Sequence, residues 1–237
     1  GTTSEHNTVD GCIFTNNTAI AKGTFASGVR TTRGGGGIYW SEKGSFGTVK
    51  NSKFYNNSVQ AIIGKADGGA ILWDSCYDGL IDNCTFYGNF ITSKDYDGNG
   101  VWIQGGAMLL RPKSNFTLSN SVFENSWSDK EAGALYVSNK QGSPLTPIDV
   151  LVVNVTFINN TAKSLGDSNK NLWGGGAAQI KECNYIAFVN CTFINNTANV
   201  GGGVALKALN GDSNQLINCT FIGNKATTLN GPDADNR

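Results

Sequence analysis

Two short sequence motifs alternate along almost the whole chain. The first is Phe-x-x-Asn, and the second is a glycine pair followed by small or aliphatic residues, as in Gly68-Gly69-Ala70-Ile71. Successive phenylalanines of the first motif are 40, 32, 37, 34, 36 and 28 residues apart. A period of this size indicates a stack of similar units, each of which packs mainly against its two neighbours.

The first motif occurs in six complete copies, and in a seventh, at Phe123, Ser126 stands where the asparagine is expected. Because equivalent positions of stacked units lie above one another, we expect a buried column of aromatic rings. Beside it we expect a ladder of amide side chains that bond along the axis. These columns consist of Phe14, Phe54, Phe86, Phe123, Phe157, Phe193 and Phe221, and of Asn17, Asn57, Asn89, Asn160, Asn196 and Asn224.

The residues around each phenylalanine alternate in the way that a half-buried strand requires. In 190–194, Cys191 and Phe193 fall on one face, while the asparagine and threonine beside them fall on the other. No capping signal precedes a helical pattern, so few or no helices are expected. The sequence therefore predicts an all-β, right-handed, single-stranded parallel β-helix of about seven coils. A β-propeller and a β-sandwich are the alternatives, but a blade needs about 40–50 residues and a sandwich has no reason to repeat.

The bulk composition narrows the possible partners. The 237 residues carry 18 basic and 18 acidic side chains, so no net charge favours nucleic acid. No apolar run reaches the roughly 18 residues of a membrane-spanning helix. We expect residues 1–237 to form one β-helix domain. The chain begins at Gly1 rather than Met, and no glycine motif precedes its first Phe motif. That domain is therefore expected to be a fragment of a longer array.

The paired motifs resemble the repeat of the chlamydial polymorphic outer-membrane proteins, and similar repeats occur in adhesin-like surface proteins of archaea and microbial eukaryotes. The resemblance covers nearly all of the chain. It implies a right-handed β-helical surface or passenger domain, often adhesive, and it does not imply a catalytic site. There is no sign of the C-terminal membrane barrel of an autotransporter.

The cysteines suggest an oxidising compartment. Of the six, Cys76 and Cys183 each lie eight residues before another cysteine, which predicts the disulfides Cys76–Cys84 and Cys183–Cys191. Buried free thiols are one alternative. A bond between Cys191 and Cys219 across adjacent coils is another, because the coil spacing is within disulfide reach. The pairing of Cys12 and Cys219 stays open.

Asn-x-Ser/Thr sequons point to the same compartment. We expect N-linked glycans and a secreted, extracellular protein, unless the repeat copies this tripeptide for structural reasons alone. The sequon asparagines are Asn16, Asn56, Asn83, Asn115, Asn154, Asn159, Asn190, Asn195 and Asn218.

Few residues of this sequence are of the types that form catalytic sites. His6 is the only histidine, which excludes a Ser-His-Asp triad elsewhere in the chain. The carboxylates are interpreted as solvated surface, although a glycosidase-like pair among groups such as Asp74, Asp78 and Asp82 is an open alternative. We therefore expect no cofactor, with calcium as the one possible exception.

Two polar loops carry the calcium alternative. The first resembles the opening of a calcium loop, but Gly106 occupies its twelfth position, where glutamate is expected. Ordinary polar turns are the other interpretation. The candidate ligands are Asp95, Asp97, Asn99, Asp167, Asn169 and Asn171.

These observations predict a non-enzymatic structural or adhesive glycoprotein of a cell surface or surface appendage. Its contacts would be other protein chains or surface glycans, reached through the loops Thr92–Val101, Lys140–Pro147 and Lys163–Trp173 or through exposed aromatics. Trp40, Trp73, Trp102, Trp127 and Trp173 are spread along the coils, and packing is their alternative role. Two other functions stay open. One is a filament subunit that assembles head to tail or side by side, and the other is a carbohydrate-active lyase or hydrolase.

Overall fold

The computed structural model describes residues 6–22, 34–40, 46–63, 65–94, 102–138, 149–163, 174–181, 183, 185–207 and 213–227. Within them all regular structure is β-strand, and no helix occurs. Three seven-stranded sheets and one six-stranded sheet run the length of the described chain, and their strands pair in parallel. The predicted parallel β-helix with seven coils is therefore confirmed.

Strands are numbered in chain order. Sheet A contains β1 (Asn7–Asp10), β5 (Gly47–Lys50), β10 (Gly79–Asp82), β15 (Phe116–Ser119), β19 (Asp149–Val153), β23 (Tyr185–Val189) and β27 (Ser213–Ile217). Sheet B contains β2 (Ile13–Thr15), β6 (Lys53–Tyr55), β11 (Thr85–Tyr87), β16 (Val122–Glu124), β20 (Thr156–Ile158), β24 (Thr192–Ile194) and β28 (Thr220–Ile222).

The chain then continues into two further long sheets. Sheet C contains β3 (Thr18–Lys22), β7 (Ser58–Ile63), β12 (Phe90–Ser93), β17 (Trp127–Ser128), β21 (Thr161–Ala162), β25 (Thr197–Ala198) and β29 (Lys225–Ala226). Sheet D contains β4 (Ile38–Trp40), β9 (Ile71–Cys76), β14 (Met108–Pro112), β18 (Leu135–Ser138), β22 (Ala178–Lys181) and β26 (Val204–Lys207). A short sheet E pairs β8 (Ala66–Asp67) with β13 (Ile103–Gln104).

Asparagine forms the corners on either side of sheet B. Asn83, between sheets A and B, has φ 50°, and Asn159, between sheets B and C, has φ 53°. Asparagine is among the few residues other than glycine that adopt this left-handed conformation readily. Two-residue corners are thus possible in every coil. The other corner asparagines are Asn16, Asn51, Asn56, Asn120, Asn125, Asn154, Asn190, Asn195 and Asn218.

The repeat phenylalanines form one stacked column in the core. Phe86 pairs in register with Phe54 on one side and Phe123 on the other, and the ring centroids are 4.8 and 4.4 Å apart. The stacking continues through Phe157 and Phe193, and the rings from the second to the sixth coil are fully buried. Burial of this aromatic area is a main source of the stability of the fold.

The repeat asparagines form a second column inside the coil. In a typical rung the Asn89 side-chain oxygen accepts bonds from the backbone N–H and the side-chain amide of Asn57, at 2.9 and 3.1 Å. The Asn89 amide in turn donates to the Phe54 carbonyl oxygen at 2.9 Å. Each fully buried asparagine therefore satisfies backbone groups of the preceding coil, as buried polar groups require.

The glycine pairs bring the chain into sheet D through a very crowded passage. A Cβ on Gly106 would collide with the carbonyl oxygens of Gly133 and Trp127, and a Cβ on Gly69 with that of Gly106. Only glycine permits this approach of stacked backbones. The second motif is therefore a packing requirement of the stack.

Candidate functional site

Sheet E is a short additional layer that follows sheet C and precedes sheet D along the chain, and its strands contact those of sheet C. Ala66 and Ile103 of sheet E belong to a small apolar cluster with Val59 and Ile91 of sheet C. Alternation along the short strands gives Asp67 and Gln104 the opposite orientation, towards sheet D. Gln104 pairs with Asp67 in register and forms a β-bridge to Glu131, so that three polar side chains stack along the axis.

Arg111 of β14 binds two carboxylates beneath this layer. Its guanidinium nitrogens lie 3.4 Å from Asp67 Oδ2 and 3.7 Å from Asp74 Oδ1, and a third bond, of 2.8 Å, joins it to Gln104 Oε1. The side chains of Asp67 and Asp74 are 0% and 1% exposed, and that of Arg111 is 14% exposed. Such a buried charge arrangement depends on all of its members, because loss of one leaves the others unpaired.

Glu131 joins this cluster to the next coils. Its Oε2 accepts bonds of 3.3 Å from the side-chain amides of both Gln104 and Gln179. Burial raises the pKa of the Glu131 carboxyl, while Lys181 and the bonds from Gln104 and Tyr136 act in the opposite direction. Burial likewise raises the pKa of the Tyr136 hydroxyl, whose ring packs with Leu72 and Leu109.

Trp102 lies where this layer meets solvent. Trp102 is 37% exposed, and the ammonium nitrogens of Lys65 and Lys181 lie 4.6 and 4.8 Å from its ring centroid. Cation–π attraction holds the two lysines over the ring. The cluster is therefore suited to holding sheet E on sheet D, and it offers little room for a substrate.

Sequence reasoning did not identify this cluster, because its members come from different coils. One signal was available. A polar residue stands directly before the glycine turn in three successive repeats, as Asp67, Gln104 and Glu131. Equivalent positions stack in a solenoid, so this series predicts a polar column.

A shallow groove of about 270 Å³ opens beside sheet C at the degenerate repeat. Trp127 stacks on Phe90 with centroids 4.7 Å apart, and the Lys163 ammonium lies 3.4 Å from the Trp127 ring centroid. Lys163 also forms a 3.3 Å ion pair with Asp129, a carboxylate that is 2% exposed. The groove is lined by Asn125, Ser126, Trp127, Asn159, Thr161 and Lys163. It thus combines an aromatic edge, two amides, two hydroxyls and an ammonium group.

The residues of the calcium alternative, Asp95, Asp97, Asn99, Asp167, Asn169 and Asn171, lie outside the described residues. In the part of the chain that is described, no three His, Cys, Asp or Glu side chains are grouped so that they could hold a metal ion. His6 is exposed and stacks on Phe46 at a centroid distance of 4.9 Å. Of the tryptophans, Trp40 and Trp73 are buried in the core, and Trp173 is not described.

All nine sequon asparagines are exposed, and eight of them have a left-handed backbone at a corner. Corner asparagines also bond to one another, as from the Asn83 amide to Asn51 Oδ1 at 2.8 Å and from the Asn218 amide to Asn190 Oδ1 at 2.7 Å. Asn115 is the exception, since it precedes β15 and has no positive φ. Turn geometry therefore gives most of these asparagines a structural role as well.

The predicted disulfides Cys76–Cys84 and Cys183–Cys191 are not formed, because Cys84 and Cys191 are free thiols. The eight-residue spacing places a strand between the two sulfurs of each predicted pair, namely β10 or β23. An extended strand of four residues already spans about 10 Å, and a disulfide needs Cα atoms within about 7 Å. The prediction was wrong because residues close in sequence are separated by one side of the coil.

Comparison with known proteins agrees with this architecture. A family model described as "Right handed beta helix region" matches residues 1–146 and 36–232, which together include nearly all of the chain. No curated protein and no solved structure matches the chain. Among the described residues no helix has the length and apolar character needed to cross a bilayer.

Proposed function

Because the chain belongs to the right-handed β-helix family, we propose that it is a non-enzymatic, extracellular scaffold that presents adhesive contacts at a cell surface. The β-helix supplies a stiff rod, and the contacts are made by one side of it. This proposal rests on where the repeat is constant and where it varies.

One side of the β-helix carries all the variation in connection length. The strands of sheets A and B, and those of B and C, are separated by two residues in every coil, as between Asp10 and Ile13. Connections from sheet C to sheet D range from 5 residues (199–203) to 15 residues (163–177), and those from D to A from 2 (77–78) to 10 (139–148). Variable loops on a constant frame are the usual arrangement of a binding surface. This difference between the sides carries the proposal.

The groove beside Trp127 lies on sheet C, between the constant corner at Asn159 and the variable connection that begins at Lys163, and it is the contact that we propose for surface glycans. Amides such as Asn159 can both donate to and accept from sugar hydroxyls, and the Lys163–Asp129 pair adds charged partners. The groove coincides with the one repeat whose motif is altered, at Ser126. A local departure from a repeat that is otherwise kept is typical of a position under a functional constraint.

The burial of the carboxylates supports a role without catalysis. Asp67 and Asp74 are bound by Arg111 inside the protein, whereas a glycosidase presents two accessible carboxylates across the scissile bond. Incubation with pectin, cellulose and chitin, with and without calcium, tests this part of the proposal. We expect no release of reducing ends or unsaturated products. Turnover above that of an Arg111→Ala variant would contradict it.

Saturation-transfer NMR with lactose, cellobiose, chitobiose and digalacturonate tests the glycan contact. We expect one of these sugars to bind, and Trp127→Ala to weaken it by at least about tenfold, which corresponds to about 1.4 kcal/mol. Trp102→Ala removes a different exposed tryptophan and should leave binding unchanged. Lys163→Ala, compared with Lys225→Ala on the same sheet, gives a second matched pair. Equal effects of the two tryptophan substitutions would contradict the site.

The extracellular location predicts that native material carries N-linked glycans at some of the exposed sequons. Intact mass before and after glycosidase treatment measures them. Since corner asparagines of adjacent coils stack directly, we expect fewer glycans than the nine sequons allow. An unchanged mass would remove the support that the sequons give to secretion.

A further inference from the structure

One position of the repeat faces the core two residues before each phenylalanine. Its occupants, in coil order, are Cys12, Ser52, Cys84, Ser121, Val155, Cys191 and Cys219. Cys12 and Cys84 therefore have serine neighbours along the axis, and the backbone N–H of each donates to that serine's Oγ, at 3.1 and 3.0 Å. Cys191 and Cys219 are the only two cysteines of this column that occupy adjacent coils.

The backbone places these two residues within disulfide range. β24 and β28 pair in parallel with Thr192 opposite Thr220, and the Thr220 N–H donates to the Cys191 carbonyl oxygen at 2.9 Å. Neighbouring parallel strands lie about 4.8 Å apart, and disulfides join Cα atoms that are about 4.4–6.8 Å apart. No movement of the sheet is needed to bring them together.

Both side chains also face the same core cluster. Cys219 Sγ is 3.3 Å from the Phe188 carbonyl oxygen, and Cys191 Sγ is 3.4 Å from that of Val189, so the two sulfurs contact the carbonyls of consecutive residues. Cys191 is 1% exposed and Cys219 is half-buried, so Cys219 is the more accessible of the two thiols in the described part of the chain.

From this juxtaposition we infer that Cys191 and Cys219 form a disulfide that links two adjacent coils when the protein meets a small-molecule disulfide such as oxidised glutathione. The Cys219 thiolate attacks the reagent, which forms a mixed disulfide and releases one glutathione thiolate. Cys191 then loses its proton and attacks Cys219 Sγ, which forms the protein disulfide and releases the second thiolate. Two thiols are oxidised and one reagent disulfide is reduced.

The environment of Cys191 assigns the order of these steps. Burial raises the pKa of the Cys191 thiol to about 11, so its thiolate is scarce at neutral pH. The more accessible Cys219 is therefore the first nucleophile. The reaction should be slow at neutral pH and faster in mildly alkaline buffer.

Differential alkylation of the folded protein after incubation with oxidised glutathione tests this inference. Of the six cysteines, four should remain available to alkylation after unfolding, and peptide mapping should find Cys191 joined to Cys219. The bond should raise Tm by about 10 °C, because it closes a loop of about 28 residues in the unfolded chain. Reductant should reverse the shift.

Matched serine variants make the result specific. Cys191→Ser and Cys219→Ser should each abolish the shift in Tm, whereas Cys84→Ser, which changes the same position of another coil, should retain it. Six alkylated cysteines after oxidation would overturn the inference, and so would a mapped bond between any other pair. The outcome does not depend on the proposed function, since neither adhesion nor secretion enters the measurement.

Discussion

At the scale of single residues, asparagine has two different structural roles in each repeat. At the corners its left-handed backbone allows a two-residue turn, as at Asn83 and Asn159. Inside the coil its side chain bonds to the backbone of the preceding coil. The Asn160 oxygen accepts from the Ser126 backbone N–H, and the Asn160 amide donates to the Phe123 carbonyl oxygen, both at 3.0 Å. The side chain of a single residue type therefore satisfies the backbone groups that a stack of short strands leaves unpaired.

The fourth coil lacks one member of the inner column. Ser126 is fully buried, and its hydroxyl bonds only to Glu124 in its own turn among the described residues. Ser126→Asn should restore an acceptor for Asn89 and a donor to the Phe86 carbonyl. We expect the free energy of unfolding to rise by about 1–2 kcal/mol, since each added hydrogen bond contributes about 0.5–1.5 kcal/mol. Urea unfolding of protein made without N-glycosylation measures it.

Ser126→Ala is the control for this substitution. It removes the hydroxyl without adding a bond, and should change stability by less than about 1 kcal/mol. A variant Ser126→Asn that is less stable than the parent would mean that the column cannot accept a seventh asparagine.

At the scale of elements, sheet E packs on sheet C through apolar side chains and is joined to sheet D by polar ones. Asp67, Gln104 and Glu131 stack along its inner side, and Arg111 and Gln179 of sheet D bind them. Two-residue strands bury too little apolar area to be stable alone. The polar column thus determines where the additional layer lies.

The raised pKa of Glu131 makes the stability of this layer depend on pH. The folded protein holds the proton more tightly than the unfolded chain, so stability should fall as pH rises from about 4.5, the ordinary value, through the raised folded value. Glu131→Gln cannot ionise and should flatten this dependence. Urea unfolding between pH 4 and pH 7 measures it. Glu124→Gln on the same coil should keep the parental slope, and an unchanged slope in Glu131→Gln would contradict the assignment.

At the scale of the whole molecule, the fold is a set of columns in strict register. Val153 pairs with Val189, and Asn160 bonds to Asn196, 36 residues further on. Each coil contacts mainly its two neighbours, so stability is approximately a sum over coils and their interfaces. Removal of one complete coil should therefore leave the rest able to stack.

Deletion of residues 154–189 joins Val153 directly to Asn190 and removes the 36 residues of one period. We expect a folded β-helix whose urea m-value is lower by about one seventh, because less surface is exposed on unfolding. Far-UV circular dichroism and urea unfolding measure both properties.

Deletion of 154–188 is the matched control. One residue fewer is removed, which inverts the inward and outward faces of the following strand, so this variant should fail to fold. Similar behaviour of the two deletions would show that the register of the columns does not determine the fold.

The sequence by itself determined the repeat, the strands and the columns of Phe86 and Asn89, because in a solenoid a regular period translates directly into vertical register. The tertiary structure alone decided the contacts that do not follow that period. Side chains of sheet E reach Arg111 of sheet D, so Asp67, Asp74, Arg111 and Glu131 meet although they are dispersed in the chain. The cysteines show the same limit: eight residues look close in sequence, yet a strand separates Cys76 from Cys84, while Cys191 and Cys219, 28 residues apart, lie on adjacent rungs. Distance along the chain does not predict which residues meet, because each turn of the coil returns the backbone to within one strand spacing of its starting point.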